Sequence, residues 1–421
     1  MNAPAPITGF STANVHALAT ILEASETRSI IASRDIFDIS GTKLWARDQP
    51  VSQSLQRKLL DRQLRQPLES CLLAEDGITA HSLVKSIESL LESDTPLAPM
   101  LRPYAEKLVR EVARLPLHSV AQLLLTASEA ARPESFEHAV QAMALNGALT
   151  ISHGGSTQDL RLALLCGLVH DLGEMYIDPM YGEADADRAL DFQSYQQLVV
   201  HPHVGNLLIE QLTDYPPAVA RAVAEHHERL DGTGYPHCLQ RDQVSPLGQQ
   251  LAVTEATLGV LRGGNQNLSR ASVALRVVPG EYNLSWVGMI SDGARSQPGL
   301  RATLSIGEIQ TRLSQLEAAL QLAQDTVGTL TKAAESENMK GALTLAQHLL
   351  DRLRKGWNSS GLWCMESVSE QDAPEVEAIE DELLFRLRSI QRAALLRARD
   401  LPLKDSVLMN RLRDDLINSI S

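Results

Sequence analysis

Two short stretches concentrate the side chains that could do chemistry. One is Val169-His170-Asp171-Leu172-Gly173, and the other is His226-His227-Glu228 running on into Asp231-Gly232-Thr233-Gly234-Tyr235-Pro236. Adjacent histidines on a helix project about 100° apart, because the helix turns once in ~3.6 residues. They address two neighbouring points rather than one, which suits two metal ions better than one. Asp231-Gly232-Thr233-Gly234 forces a tight turn, since glycine takes positive φ without steric cost, and Tyr235 and Pro236 stiffen its exit. Seven of the twelve histidines (His138, His153, His170, His201, His203, His226 and His227) lie between positions 138 and 227.

The elements that must carry these side chains read as helices. Glu134 and His138 are four apart in a helix predicted from Pro133 to about Ala148, so they share one face. An apolar helix predicted over Thr157–Leu172 ends in His170-Asp171, whose buried charge needs a partner; a metal is the simplest one. His201 opens a further helix, Pro216-Pro217 closes it, and the next, Val219–Arg229, brings His226 and His227. Gln250–Ala256 supplies the remaining carboxylate, Glu255.

His170-Asp171, His201-Pro202-x-x-Gly205, His226-His227-Glu228 and Asp231-Gly232-x-Gly234-Tyr235-Pro236 together resemble the HD-GYP family, a branch of the HD metal-dependent phosphohydrolases. The resemblance runs from about Glu134 to Glu255, with a looser tail to about Arg295. It implies an all-helical domain that holds two or three divalent metal ions, iron or manganese, and hydrolyses cyclic di-GMP to pGpG or GMP through a metal-bridging hydroxide. Two metals suit such a reaction, because they activate water and neutralise charge building on the phosphoryl oxygens.

By motif position the resemblance makes Asp171 the bridging carboxylate and, with His170, the catalytic pair. His138, His170 and Glu255 would hold the first metal, and His201, His226 and His227 the others, with Glu134 completing a third site. Arg229, Asp231, Gly232, Gly234 and Tyr235 would lie on the guanine-nucleotide side. His203, His153, His237, His16, His81, His118 and His348 are expected to be bystanders. The chain departs from the family at Glu174, where lysine is usual, and at Ala252 and Glu255, where two aspartates stand three apart. These departures define an alternative, a catalytically degenerate receptor or scaffold for a cyclic dinucleotide.

Composition sets the frame. The 421 residues suffice for two or three domains. With 44% hydrophobic residues but only 4% aromatic, the cores must be built from Leu, Ala, Ile and Val, which favours helices. A formal charge of −14 argues against a general nucleic-acid surface, which needs clustered Lys and Arg, but not against one nucleotide in a metal-lined pocket. Cys71, Cys166, Cys238 and Cys364 are scattered, as expected of reduced thiols in a cytoplasmic protein. No apolar run approaches the ~18 residues of a membrane span, and Met1–Phe10 lacks a signal-peptide pattern.

The predicted fold class is mainly α, with a small N-terminal α/β segment and a C-terminal helical bundle. A short helix (Ala13–Ala24), a hairpin of Ile30–Ile39 with Thr42–Trp45, and a helix over Gln53–Leu68 capped by Ser52 make an N-terminal module over 1–70. A helical linker follows over 71–130, then the metal domain over 131–296, closed by short helices at Ser272–Arg276 and Asn283–Ile290. Over 297–421, Leu313, Leu316, Leu320, Ala323, Val327 and Leu330 form an a/d seam. Helices over Met339–Arg354 and Glu377–Arg399, separated by an acidic stretch Glu366–Glu375, complete an antiparallel bundle. That bundle would serve dimerisation or partner docking, or else pack as a lid on the metal domain.

Overall fold

Leucine and alanine at helical spacing dominate the chain, and helices dominate the structure. The computed structural model describes residues 9–179, 196–262, 267–364, 368–398, 401–402, 404–405 and 407–408. These form two compact units. The first takes the described residues up to 179 together with 197–228 and 244–258; the second takes 229–243 and the described residues from 259 onward. Among the described residues, no helix is long and apolar enough to cross a membrane.

The first unit opens with α1 (Val15–Ala24), followed by β1 (Ile30–Ala32), β2 (Ile36–Phe37), β3 (Lys43–Trp45), α2 (Gln53–Leu59) and β4 (Leu72–Ala74). The expected hairpin is present as β2 against β3, and β1 pairs antiparallel with β4 in the register Ile30 to Ala74. The helix expected over Gln53–Leu68 stops nine residues early. Leu60 is extended (ψ 127°) and Asp61 takes φ 56°; Leu64 pairs with Asp38 instead. Ser52 occupies the N-cap position without donating or accepting a side-chain cap bond.

The helical body of this unit comprises α3 (Ala80–Glu92), α4 (Ala98–Leu101), α5 (Ala105–Val112), α6 (Ser119–Ala131), α7 (Pro133–Ser152), α8 (Thr157–Val169), α9 (His201–Leu212), α10 (Pro217–Glu225) and α11 (Pro246–Arg262) through Leu258. Proline at the first position of α7, where an N–H is not needed, starts that helix. Ser156 and Asp159 cap α8 reciprocally. Leu145, Leu149, Leu160 and Leu164 are fully buried where α7 meets α8, each contributing about 1.5–3 kcal/mol. Gly167 allows the close approach, because a Cβ there would meet the Ala142 carbonyl at 2.6 Å.

In the second unit α12 (Leu268–Ala274), α13 (Leu284–Arg295), α14 (Ile306–Ala333), α15 (Glu337–Ser360) and α16 (Ala373–Ala398) are all longer than, or displaced from, their sequence-based ranges. Part of the expected acidic stretch, residues 366–367, and Arg399 lie outside the described residues. The a/d seam is buried on α14, against Leu343, Ala346, Leu350 and Leu353 of α15 and Leu383 and Leu387 of α16. The connection from Ala333 to Glu337 is too short for anything but antiparallel neighbours. Gly361 closes α15 at φ 73°.

Candidate metal centre

Helix ends deliver His170, His201, His226 and His227, whereas His138 stands within α7. α8 ends at Val169, so His170 is its C-cap and Asp171 begins a 3-10 turn over Leu172–Tyr176. That turn packs on the start of α9. A Cβ on Gly173 would stand 2.1 Å from the His201 carbonyl and 2.8 Å from the Gly205 nitrogen, so only glycine fits. α10 ends at Glu225, four residues before the predicted Arg229, and His226 and His227 occupy the turn that follows. Buried Glu225 fixes this turn to the next helix by accepting from the Ser245 N–H at 2.8 Å and the Ser245 hydroxyl at 2.5 Å.

Asn146 on α7 sets the register of α11. Its Nδ2 donates to the Ala163 carbonyl at 2.7 Å, its Oδ1 accepts from Thr254 Oγ1 at 3.2 Å, and its carbonyl accepts from Gln250 Nε2 at 2.5 Å. The next residue after Thr254 is Glu255, and its carboxylate is thereby aimed at His138 and His170. Ala252 is 4% exposed in the surrounding core, so the carboxylate of α11 comes from Glu255.

Two groups of donors result, and they share Asp171. His138, His170, Asp171 and Glu255 form one, and Asp171, His201, His226 and His227 the other; within each group the ligand atoms lie within 4.8 Å of one another. Glu255 Oε2 is 2.9 Å from His138 Nε2 and 3.0 Å from His170 Nε2. Asp171 turns Oδ2 to the first group, at 3.3 Å from both His138 Nε2 and His170 Nε2. Its Oδ1 faces the second, 3.5 Å from His201 Nε2 and 3.3 Å from His226 Nε2.

The hydrogen bonds on the far side of the rings fix what the inner nitrogens can do. Nδ1 of His170 meets the Gly167 carbonyl at 2.8 Å, Nδ1 of His201 the Leu198 carbonyl at 2.6 Å, and Nδ1 of His226 the Val223 carbonyl at 2.6 Å. A carbonyl can only accept, so these Nδ1 atoms carry hydrogen, and in the neutral rings each Nε2 presents a lone pair inward. Yet His201 Nε2 and His226 Nε2 stand 3.0 Å apart. Lone pairs facing each other at that distance repel unless a cation or proton lies between them. Imidazole and carboxylate donors suit iron, manganese or zinc, and the residues fit divalent metals.

The charge balance agrees. Burial opposes protonation of His170, but the Asp171 and Glu255 carboxylates outweigh it and raise its pKa well above the ordinary value. Asp171, despite burial, is held well below the carboxylate range by the surrounding histidines, His170 foremost. His226 is pushed down to about 3 by burial and by the neighbouring His227.

Other expected residues are placed differently. Glu134 is exposed in the first turn of α7 and belongs to neither group among the described residues. His203, His153, His237 and His81 are exposed, and His118 caps α6 through Nδ1. Glu174 is buried beside the Arg132 guanidinium, which also donates to Thr20 Oγ1 at 2.7 Å.

In the second unit, Arg229 lies 3.6 Å from the Glu281 carboxylate, and burial, which would lower its pKa, is outweighed by Tyr282 and Glu281. Asp231 folds onto Thr233 N–H and Oγ1, at 3.1 and 2.6 Å. Gly232 takes φ 81°, Gly234 is buried and Tyr235 is partly exposed. Asn146, Gln250 and Ser245 carried no signal in the sequence that marked them as supports of the centre. His348 and Arg352, which reach Asp231 from α15, also went unread as partners of that loop.

Residues 125–274 match the family model of the HD domain. Over 154 residues the chain is 30% identical to a cyclic di-GMP phosphodiesterase of Pseudomonas aeruginosa, covering 36% of this chain and 36% of that protein. The chain thus spans about a third of that relative's length. A solved HDG"Y"P protein from Bdellovibrio bacteriovorus, Bd1817, overlays 64% of this chain and 96% of its own at 16% identity, with a TM-score of 0.34, too low to establish a shared fold. All seven residues of the two donor groups that meet at Asp171 lie inside the stretch similar to the HD domain.

Proposed function

We propose that this protein is a metal-dependent phosphohydrolase acting on cyclic di-GMP, with pGpG or GMP as product. The observation that carries the reading is the pair of donor groups joined by Asp171. The curated relative's activity on the same nucleotide supports the choice of substrate. Iron or manganese would be held by His138, His170, Asp171 and Glu255 on one side, and by Asp171, His201, His226 and His227 on the other. When bound, the cations would supply Lewis acidity to the phosphoryl group and acidify a coordinated water. The chain's own contribution is to orient the rings through their Nδ1 bonds, to share Asp171 between both positions, and to set the Glu255 carboxylate beside two imidazoles. The scattered free thiols Cys71, Cys166 and Cys238 support a cytoplasmic setting, and the C-terminal helices are the surface we assign to a second copy or a signalling partner.

Buried Glu174 favours one other reading, a receptor that binds the nucleotide without cleaving it, since an anion stands where a cation would assist charge development. The deciding test uses protein purified anaerobically and supplied with ferrous iron or manganese. Release of pGpG or GMP from cyclic di-GMP, absent from His170→Ala, is the expected result. Tight binding by metal-loaded protein with no product would establish the receptor instead.

A further inference from the structure

The loop that leads into the Gly-Tyr-Pro turn is held by the C-terminal helices. Asp231 has no oxygen to spare: Oδ1 accepts from Thr233, and Oδ2 accepts from Arg352 Nε at 2.7 Å. Its backbone carbonyl accepts from His348 Nε2 at 2.8 Å. His348 and Arg352 are one helical turn apart on α15, so they present a single gripping face. The Asp231 side chain is 5% exposed and that of Arg352 19%, which makes the pair a partly buried one whose partners depend on each other.

A second hold lies one residue earlier. The Leu230 N–H donates to the Glu281 carbonyl at 2.8 Å, and the Glu281 carboxylate takes Arg386 of α16 on both oxygens, Nε at 3.0 Å and Nη2 at 2.8 Å. Arg352 joins the two holds, because its Nη2 also donates to the Pro279 carbonyl, in the turn where Gly280 takes φ 88°. Three stretches far apart in sequence, 229–231, 279–281 and the facing sides of α15 and α16, therefore form one polar network. His226 and His227 precede Asp231 in the chain by only five and four residues.

We propose that Arg352 and His348 are positioning residues for the Asp231–Pro236 loop, so that the C-terminal helices set how well the protein binds its nucleotide while leaving the metal donors untouched. This rests on the reading of that loop as the nucleotide-contacting element of a cyclic di-GMP site. Asp231 is then a hinge pin rather than a substrate ligand, and α15 is the element through which a partner or a second copy could alter affinity.

The test is made on full-length, metal-loaded protein with Arg352→Ala, Arg352→Lys and His348→Gln, alongside wild type. Amide hydrogen exchange of the 229–240 segment, measured without nucleotide, is expected to rise at least tenfold in Arg352→Ala while the amides of α14 stay protected and metal content stays at the wild-type level. With cyclic di-GMP, KM should rise about tenfold and kcat change less than threefold, with Arg352→Lys recovering part of the loss. Unchanged loop exchange, or a rise shared equally by α14, would overturn the proposal, as would a fall in kcat with KM unaltered. Should Arg352→Ala not fold, Arg352→Lys and His348→Gln carry the same comparison with smaller changes. If wild type shows no turnover, the enzymatic reading fails on its own; loop exchange and the dissociation constant for cyclic di-GMP then decide the positioning role.

Discussion

At the residue scale the centre is organised by one carboxylate and by one position that tolerates no side chain. Asp171 offers a different oxygen to each donor group, so Asp171→Asn should remove charge from both at once. We expect it to lose at least half of the bound metal, whereas Glu255→Gln should weaken chiefly the group that contains His138 and His170. Elemental analysis of the purified variants, with folding checked by circular dichroism, distinguishes the two patterns. Gly173→Ala acts differently. Its Cβ would fall within bonding distance of the His201 carbonyl, so α9 must shift, at a cost of about 3 kcal/mol. A lowered urea midpoint with unchanged slope is the expected reading, together with weaker metal retention, because His201 moves with the helix. Much of this scale was legible in advance. The spacing of the histidines pointed to a cluster with carboxylates, while their division between two metals was what the resemblance implied by motif position. The supports were not legible, since Asn146 on α7 looks like any polar residue until Thr254 and Gln250 arrive more than a hundred positions later.

At the scale of elements, the helices were readable from their periodicity, and their ends were not. Leucines continued at helical spacing past Leu59, yet Leu60 and Asp61 leave helical geometry because Leu64 is needed in a bridge to Asp38. The pairing of β1 with β4 was equally hidden, as it joins segments some forty residues apart that carry no shared pattern. Arg386 provides the sharpest test here. Its guanidinium is 6% exposed and Glu281 2%; although burial favours the uncharged form, Glu281 keeps Arg386 ionised well above its ordinary range. Arg386→Ala would leave the Glu281 carboxylate only the longer 3.6 Å contact with Arg229, and a loss of about 3 kcal/mol is expected. Replacing the two together by Met and Leu should recover most of that loss. A double-mutant cycle by chemical denaturation measures the difference, and a double-variant loss equal to the sum of the two single losses would show that the pair is not coupled.

For the whole molecule, metal and folding are linked. A cation that binds only the folded chain stabilises it by about 2.7 kcal/mol at a hundred times its dissociation constant. Added manganese should therefore raise the thermal midpoint of wild type by more than that of His170→Ala, which keeps the second donor group of Asp171, His201, His226 and His227. The donors must be deprotonated to bind, so the gain should shrink as pH falls below the histidine range. The hold of α15 and α16 on Asp231 and Glu281 also bears on how this protein can be dissected. A fragment ended near residue 296, where α13 closes and a domain boundary would naturally be drawn, would keep every histidine of the two donor groups but forfeit His348, Arg352 and Arg386. Such a piece should purify with its cations and yet handle the nucleotide poorly. Activity surveys that rely on excised catalytic segments would then undercount proteins whose tails finish the job.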